Sequence, residues 1–188
     1  MRQNGMLTDN DQSTTRMTLK AEEKRSETRG WIISMTIAIT IALMLRLFVF
    51  EFVSISQSSM EPTLYSHNYV FMERVTYWFQ TPEYGDVVIC AFPNSSATYV
   101  KRVIGVQGDT LEVKDGVLYI NGEADKTYFS DYIESTLPET VVPEGCVYVM
   151  GDNRNVSVDS RSVGPLRTDM IMGKALFVIW PLDQIHGL

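Results

Sequence analysis

A chain of 188 residues is long enough for one domain with a real core plus one or two appendages, and its make-up, 45% hydrophobic and 21% charged, is that of an ordinary globular protein. The formal net charge is −7. Residues 1–30 carry six Lys/Arg against five Asp/Glu, hence +1, which leaves −8 on everything that follows. A body this acidic lacks the electrostatic footprint of a nucleic-acid-binding domain and argues against nucleic acid as a partner.

Residues 1–30 are polar, rich in Ser, Thr, Asn and charge, and cannot bury a core. They are expected to form a disordered cytoplasmic tail. Trp31 to Phe50 is then a 20-residue apolar run broken by one charge, Arg46. As a helix it would reach about 30 Å, the thickness of a bilayer's hydrocarbon core. Arg46, near its end, can snorkel to the interface, and Trp31 and Phe52 are suited to anchor there. Lys20, Lys24, Arg25 and Arg29 precede the run, and no Lys or Arg follows Arg46 until Arg74. The positive-inside rule then puts the N-terminus in the cytoplasm and the body, residues 51–188, outside the cell membrane. A cleaved signal peptide is the rival, with Ser54-Ile55-Ser56 as a small-x-small site. The run is long for such an h-region and lies behind thirty residues of tail.

From Glu51 onward the pattern changes to short β-like runs between turn residues. Strands are predicted at Tyr69–Val75, Asp86–Phe92, Tyr99–Val106, Thr110–Lys114, Val117–Ile120, Val147–Met150 and Ala175–Ile179. Asp115-Gly116 between two such runs is a hairpin signal, and Asn121-Gly122 ends the second strand. Residues 123–146, with Pro138 and Pro143, are irregular and no helix is placed there. The fold class expected is mainly β: one N-terminal transmembrane helix followed by a compact, largely antiparallel domain, working as a monomer. Cys90 and Cys146 each sit in a β-like run. Outside the cell they could pair, and two free buried thiols are as natural. No CxxC pair or His cluster suggests a metal, and no cofactor is implied.

Three stretches bear on chemistry: Ser56-Gln57-Ser58-Ser59-Met60-Glu61-Pro62-Thr63-Leu64, Tyr99-Val100-Lys101-Arg102-Val103-Ile104-Gly105, and Gly151-Asp152-Asn153-Arg154-Asn155-Val156-Ser157-Val158-Asp159-Ser160-Arg161. A serine needs a base to become a nucleophile. The two histidines are poorly placed for a Ser-His-Asp triad: His67 lies in a turn-like stretch eight residues from Ser59, and His186 is third from the end. A lysine can serve if burial lowers its pKa from about 10.4 toward neutrality. In a strand Tyr99, Lys101 and Val103 share one face while Val100, Arg102 and Ile104 share the other. Guanidinium stays protonated, so Arg102 cannot be the base. The plain alternatives are a turn serine at Ser59 and an edge-guarding lysine at Lys101.

Taken together, in this order and spacing, the three stretches resemble type I signal peptidase, a membrane-bound serine protease with a Ser-Lys dyad, over roughly Trp31 to the C-terminus. The resemblance implies removal of signal peptides from exported preproteins after small-x-small sites. It makes Ser59, just before Met-x-Pro-Thr-Leu, the nucleophile and Lys101 the general base, with Ser157 the serine that orients the lysine. Asp159 and Arg161 match an acidic-basic pair that, at i, i+2 on an extended segment, would brace the site. Shallow pockets for small side chains would be lined by Met60, Leu64, Tyr99 and Val100 with the segment Ile55–Ser58. Met60 and Leu64 read equally well as ordinary core. Gly151–Arg154 is expected to be a tight turn, and Gly85-Asp86-Val87-Val88 strand entry and core. One departure stands out: Gln57 occupies a position where many members carry serine or glycine. The oxyanion hole would then be the Ser59 N–H with the Gln57 amide. Tyr77-Trp78-Phe79 and Trp180 would either touch the bilayer or be buried.

Two other readings compete. A catalytically silent relative would be a membrane-tethered binding or assembly module for surface proteins; keeping both Ser59 and Lys101 speaks against it, and Gln57 is its one foothold. A self-cleaving Ser-Lys repressor would need a DNA-binding head and a soluble chain.

Overall fold

The computed structural model describes residues 28–46, 49–125, 127–128 and 132–188, and the chain divides into two units, residues 1–46 and 47–188. The expected tail falls almost wholly on residues 1–27, outside the described residues. In the first unit, helix α1 (Thr28–Arg46) is long and apolar enough to cross a membrane. Two of its hydroxyls are satisfied within the helix, Thr36 Oγ1 donating to the Ile32 carbonyl and Thr40 Oγ1 to that of Thr36, both at 2.8 Å. Such back-bonding suits an environment without water.

The expected span to Phe50 is corrected at its far end. Phe50 opens strand β1 (Phe50–Ser54), and the Val49 carbonyl already accepts the Arg74 N–H at 3.0 Å. Hydropathy alone cannot separate the end of a span from an aromatic-rich strand that starts four residues later.

The second unit holds two antiparallel sheets. The larger has eight strands, ordered β1, β2 (Tyr69–Glu73), β11 (Ile171–Trp180), β3 (Val87–Ala91), β4 (Thr98–Val106), β9 (Cys146–Met150) and β10 (Leu166–Arg167), with β12 (His186–Gly187) against β11. The smaller is β7 (Glu123–Ala124), β6 (Val117–Ile120), β5 (Thr110–Lys114) and β8 (Leu137–Val141). Short helices α2 (Thr76–Phe79) and α3 (Ser160–Val163) complete the fold. Each predicted strand is present, Thr110–Lys114 and Val117–Ile120 with the expected bounds and the others with shifted ends. β2 stops at Glu73 because the Glu73 carboxylate accepts the Val75 and Thr76 N–H groups, at 2.8 and 3.0 Å, and turns the chain into α2. Asp115 and Gly116, at φ 52 and 79, close the β5–β6 hairpin as its two loop residues, the left-handed pair that a type I′ turn requires.

The central strands are buried on both faces, so β3 reads as an unbroken apolar run rather than an alternation. Val87 and Ile89 pack into one core with Ile55, Met60, Leu64, Val70 and Met72. Val88 and Cys90 pack into another with Phe92, Val103, Val147 and Val149. Tyr148 and Met150 close a third core under the small sheet with Ile104, Leu111 and Leu118. Both cysteines are free. On the outer face of β1–β2–β11, Phe50 and Phe52 lie 5.0 and 5.7 Å from Phe71, which is paired across the sheet with Phe177. Of the aromatics singled out in the sequence, Trp78, Phe79 and Trp180 are exposed, whereas Tyr77 is half-buried and donates to Asp86 at 2.8 Å.

Candidate active site

Strand β4 carries Lys101 and Arg102 on opposite faces, as alternation demands, and both are buried. Lys101 lies across from Val88 on β3 and is only 1% exposed. Its Nζ donates to Ser59 Oγ at 2.7 Å and to the Val100 carbonyl at 3.1 Å. No carboxylate lies within ion-pair distance of it among the described residues. Burial therefore pushes the amine below its ordinary value, against weaker upward pulls led by Asp159. Neither histidine forms a hydrogen bond with Ser59. His67, exposed and at φ 71, is held by its backbone, and His186 Nδ1 meets the Gln184 carbonyl.

The serine is held by its own loop and by the third stretch. Leu64 N–H donates to the Met60 carbonyl at 2.8 Å, and Asn153 donates twice, its N–H to the Ser59 carbonyl at 3.0 Å and its Nδ2 to that of Ser58 at 3.3 Å. Asn153 was not singled out in the sequence. The tight turn expected at Gly151–Arg154 lies later: Asp152 and Asn153 only bend the chain, and the turn is closed by Val156 N–H to the Asn153 carbonyl at 3.2 Å, so Gly151 is there for another reason than turn geometry. A methyl group on it would run into the Ser59 carbonyl and the Ser157 side chain, so the close approach itself requires glycine. Ser59 N–H makes no hydrogen bond within the described residues.

A groove of about 90 Å³ runs past Ser59, lined by Val53–Gln57, Met60 and Thr98–Val100. It gathers Met60, Tyr99, Val100 and Gln57. Leu64 is a correction: fully buried, it belongs to the core beneath and does not line the groove. Ser157 is a second difference. Its Oγ is buried without a partner, and the hydrogen bond to Lys101 expected of it is not formed, since the Nζ contacts are to Ser59 and Val100.

Asp159 and Arg161 do pair, through two contacts of 2.8 Å, Nε to Oδ1 and Nη2 to Oδ2. They do so from a helix start rather than an extended segment: Asp159 is the N-cap of α3. Asp159 also accepts the Gly151 N–H at 3.0 Å, and Arg161 reaches the Arg154 carbonyl at 2.6 Å and Ser135 Oγ at 2.9 Å. Sequence reasoning missed the pair that ties the stretches together. Arg102 grips Asp152 with two bonds of 2.9 and 2.8 Å, the Gly85 carbonyl at 2.9 Å and Thr63 Oγ1 at 3.3 Å, and stacks on Tyr128 at 4.2 Å. One guanidinium thus bonds residues from the Ser59, Gly85 and Gly151 stretches. The signal was a charge of each sign in two apolar contexts, but distance in sequence hid the match.

The site therefore holds a buried lysine with no ion pair among the described residues, hydrogen-bonded to a serine beside a small groove. Comparison with known proteins gives the family: the profile described as "Signal peptidase, peptidase S26" matches residues 28–180. The chain belongs to the S26 family of signal peptidases. It is 34% identical over 180 residues to signal peptidase I of Bacillus caldolyticus, covering 88% of this chain and 96% of that one. Signal peptidase IB of Staphylococcus aureus (strain COL) is 37% identical over 179 residues, 85% and 93% of the two chains. A third relative, thylakoidal processing peptidase 1 of Arabidopsis thaliana, is 35% identical over 144 residues, 70% of this chain and 42% of that one. The S26 signal peptidases are serine peptidases that remove signal peptides, so the body described above is that of an enzyme rather than a binding module.

Proposed function

We propose that this signal peptidase cleaves exported preproteins after small-x-small sequences with Ser59 as nucleophile and Lys101 as general base. The observation that carries the reading is the 2.7 Å contact between Lys101 Nζ and Ser59 Oγ in a site that desolvates the amine. A neutral amine takes the serine proton as Oγ attacks the scissile carbonyl, and the resulting ammonium returns a proton to the leaving amine. The acyl-enzyme is then hydrolysed by water that Lys101 activates in turn. The unengaged Ser59 N–H and the Gln57 amide at the groove mouth receive the oxyanion. Ser157, its hydroxyl free and packed beside the Ser59 loop, orients Lys101 once a small side-chain rotation engages it. Asp159 and Arg161 hold the loop from behind.

The substrate lies extended in the groove between Ile55–Gln57 and Thr98–Val100, adding a strand to the sheet. Met60, Tyr99 and Val100 restrict the pockets to small side chains, and Leu64 backs them from the core. All these groups come from one chain, which supports a monomeric enzyme.

The anchor is α1, with residues 1–30 cytoplasmic and the body from residue 51 outside. The Lys/Arg asymmetry across the helix supports that orientation. The exposed aromatics on β1–β2–β11, which begin four residues past α1, support contact of this face with lipid. Confinement of enzyme and substrate to one membrane raises their effective concentration.

The test uses detergent-solubilised full chain and a precursor carrying an Ala-x-Ala site, with cuts mapped by mass spectrometry. Wild type is expected to cut after the second alanine, and Ser59→Ala and Lys101→Ala to be silent. Substantial cleavage by Lys101→Ala would remove the lysine from its role.

A further inference from the structure

The groove wall formed by Tyr99 is itself held from behind, by residues that no motif contains. The Phe92 and Tyr99 rings stack with centroids 4.2 Å apart and planes 12° from parallel. The Tyr99 hydroxyl meets Ser95 Oγ at 3.2 Å, and the same Oγ accepts the Ala97 N–H at 3.1 Å. Local sequence builds this arrangement. Phe92-Pro93-Asn94-Ser95 is a turn closed by Ser95 N–H to the Phe92 carbonyl at 3.2 Å, with Asn94 in the left-handed region at φ 61. Proline second and a left-handed asparagine third make it a type II turn, which both residue types favour. The turn carries the chain back over the ring, so its first and last residues touch the two parts of one side chain: ring face and hydroxyl.

An aromatic ring on a groove rim keeps two χ angles free unless something fixes them. Here one face is covered by Phe92 and the polar end is tethered, while Tyr99 still lines the groove. On the reading that small-x-small peptides occupy this groove, we infer that Ser95 and Phe92 are positioning residues for substrate selection: they clamp Tyr99 so that it excludes side chains larger than alanine. Ser95 does not line the groove and acts only through the tyrosine. With the tether gone the ring is free to tilt, and it fits alanine less closely and resists a larger side chain less firmly.

The experiment separates this from the catalytic assignment by measuring binding rather than turnover. Full-length Ser59→Ala protein in detergent is titrated by calorimetry with two peptides, one Ala-x-Ala and one with valine at both small positions. Adding Ser95→Ala should weaken the Ala-x-Ala complex about 3- to 10-fold, the range for one lost hydrogen bond, and narrow the preference for alanine over valine. Tyr99→Phe should do the same, the two together should cost no more than either, and Ser95→Thr should restore the parent's affinity and preference, with thermal midpoints unchanged. Equal affinity and preference for Ser95→Ala and its parent would overturn the clamp, as would additive effects of the two substitutions. Failure of the parent to bind the peptide would overturn both the clamp and the groove. Binding by the parent with no cleavage by wild type would sink the catalytic reading alone.

Discussion

The two faces of β4 treat a buried cation in opposite ways. On one, Arg102 is given a carboxylate in bidentate contact, a carbonyl, a hydroxyl and an aromatic ring. On the other, Lys101 is given a hydroxyl, a carbonyl and, at 5.9 Å, the Tyr99 ring, with no carboxylate in ion-pair distance among the described residues. A buried guanidinium cannot shed its charge and must be neutralised by a partner. A buried amine can lose its proton, and withholding a partner makes it do so. Two adjacent residues of like charge thus become a structural clasp and a candidate base, and the difference lies in what faces them.

Breaking the lysine face should have the largest effect on turnover. Ser59→Ala and Lys101→Met are each expected to lower the cleavage rate by at least about 10³-fold, read with the Ala-x-Ala precursor. Lys101→Met should also raise the thermal midpoint at neutral pH, because it removes a desolvated amine. The sign follows from linkage: a lysine with a depressed folded pKa destabilises the fold fully below that pKa, and the penalty fades as pH rises toward about 10.5. The advantage of Lys101→Met should therefore shrink in alkaline buffer; one that grew there would contradict the neutral-lysine picture.

Breaking the arginine face should cost stability. Asp152→Asn leaves Arg102 buried with half its partner, and about 3 kcal/mol or more of unfolding free energy should go with it, measured by denaturant titration. Activity should fall only as far as the Ser59 loop shifts. Gly151→Ala crosses both faces: the added methyl displaces the Ser59 carbonyl, so the rate is expected to drop on the order of 10²-fold with a well-folded circular dichroism spectrum.

Asp159→Asn sharpens the comparison most finely. Asp159 is the leading upward influence on Lys101, so losing its charge should move the rising limb of the pH–rate profile to lower pH, even though the Arg161 clasp weakens. A limb that moved upward would show that Asp159 does not act on the lysine through its charge. The smallest effect is expected from reductant: with Cys90 and Cys146 free, dithiothreitol should leave the thermal midpoint unchanged.

Much of this was legible in the chain. The serine and lysine proposed as the dyad could be singled out because they sit in short local patterns, a loop before Met-x-Pro-Thr-Leu and a Tyr-Val-Lys-Arg strand, whose resemblance to a family does not depend on packing. The β5–β6 hairpin could be found because Asp-Gly encodes its own dihedrals. The groove was less legible: Met60 and Leu64 are both apolar, four residues apart and buried in one core, and only the course of the loop sets Met60 against the groove and leaves Leu64 behind it. Ser157 was named by pattern, yet whether its hydroxyl meets the lysine depends on a side-chain angle that no spacing constrains. The predicted span runs into strand β1 because Phe50 is as apolar in a strand as in a membrane.

By itself the sequence determined an apolar helix ahead of a β-rich body, since these follow from residue type, periodicity and local turn chemistry, and its resemblance to a family singled out Ser59 and Lys101 as the pair to examine. Only the tertiary structure decided which cation on β4 is paired. Asp152 and Asp159 lie 51 and 58 residues beyond Lys101, and the pairing of β4 with β9 together with the course of the loop that follows β9 brought one to the arginine and kept both out of ion-pair distance of the lysine.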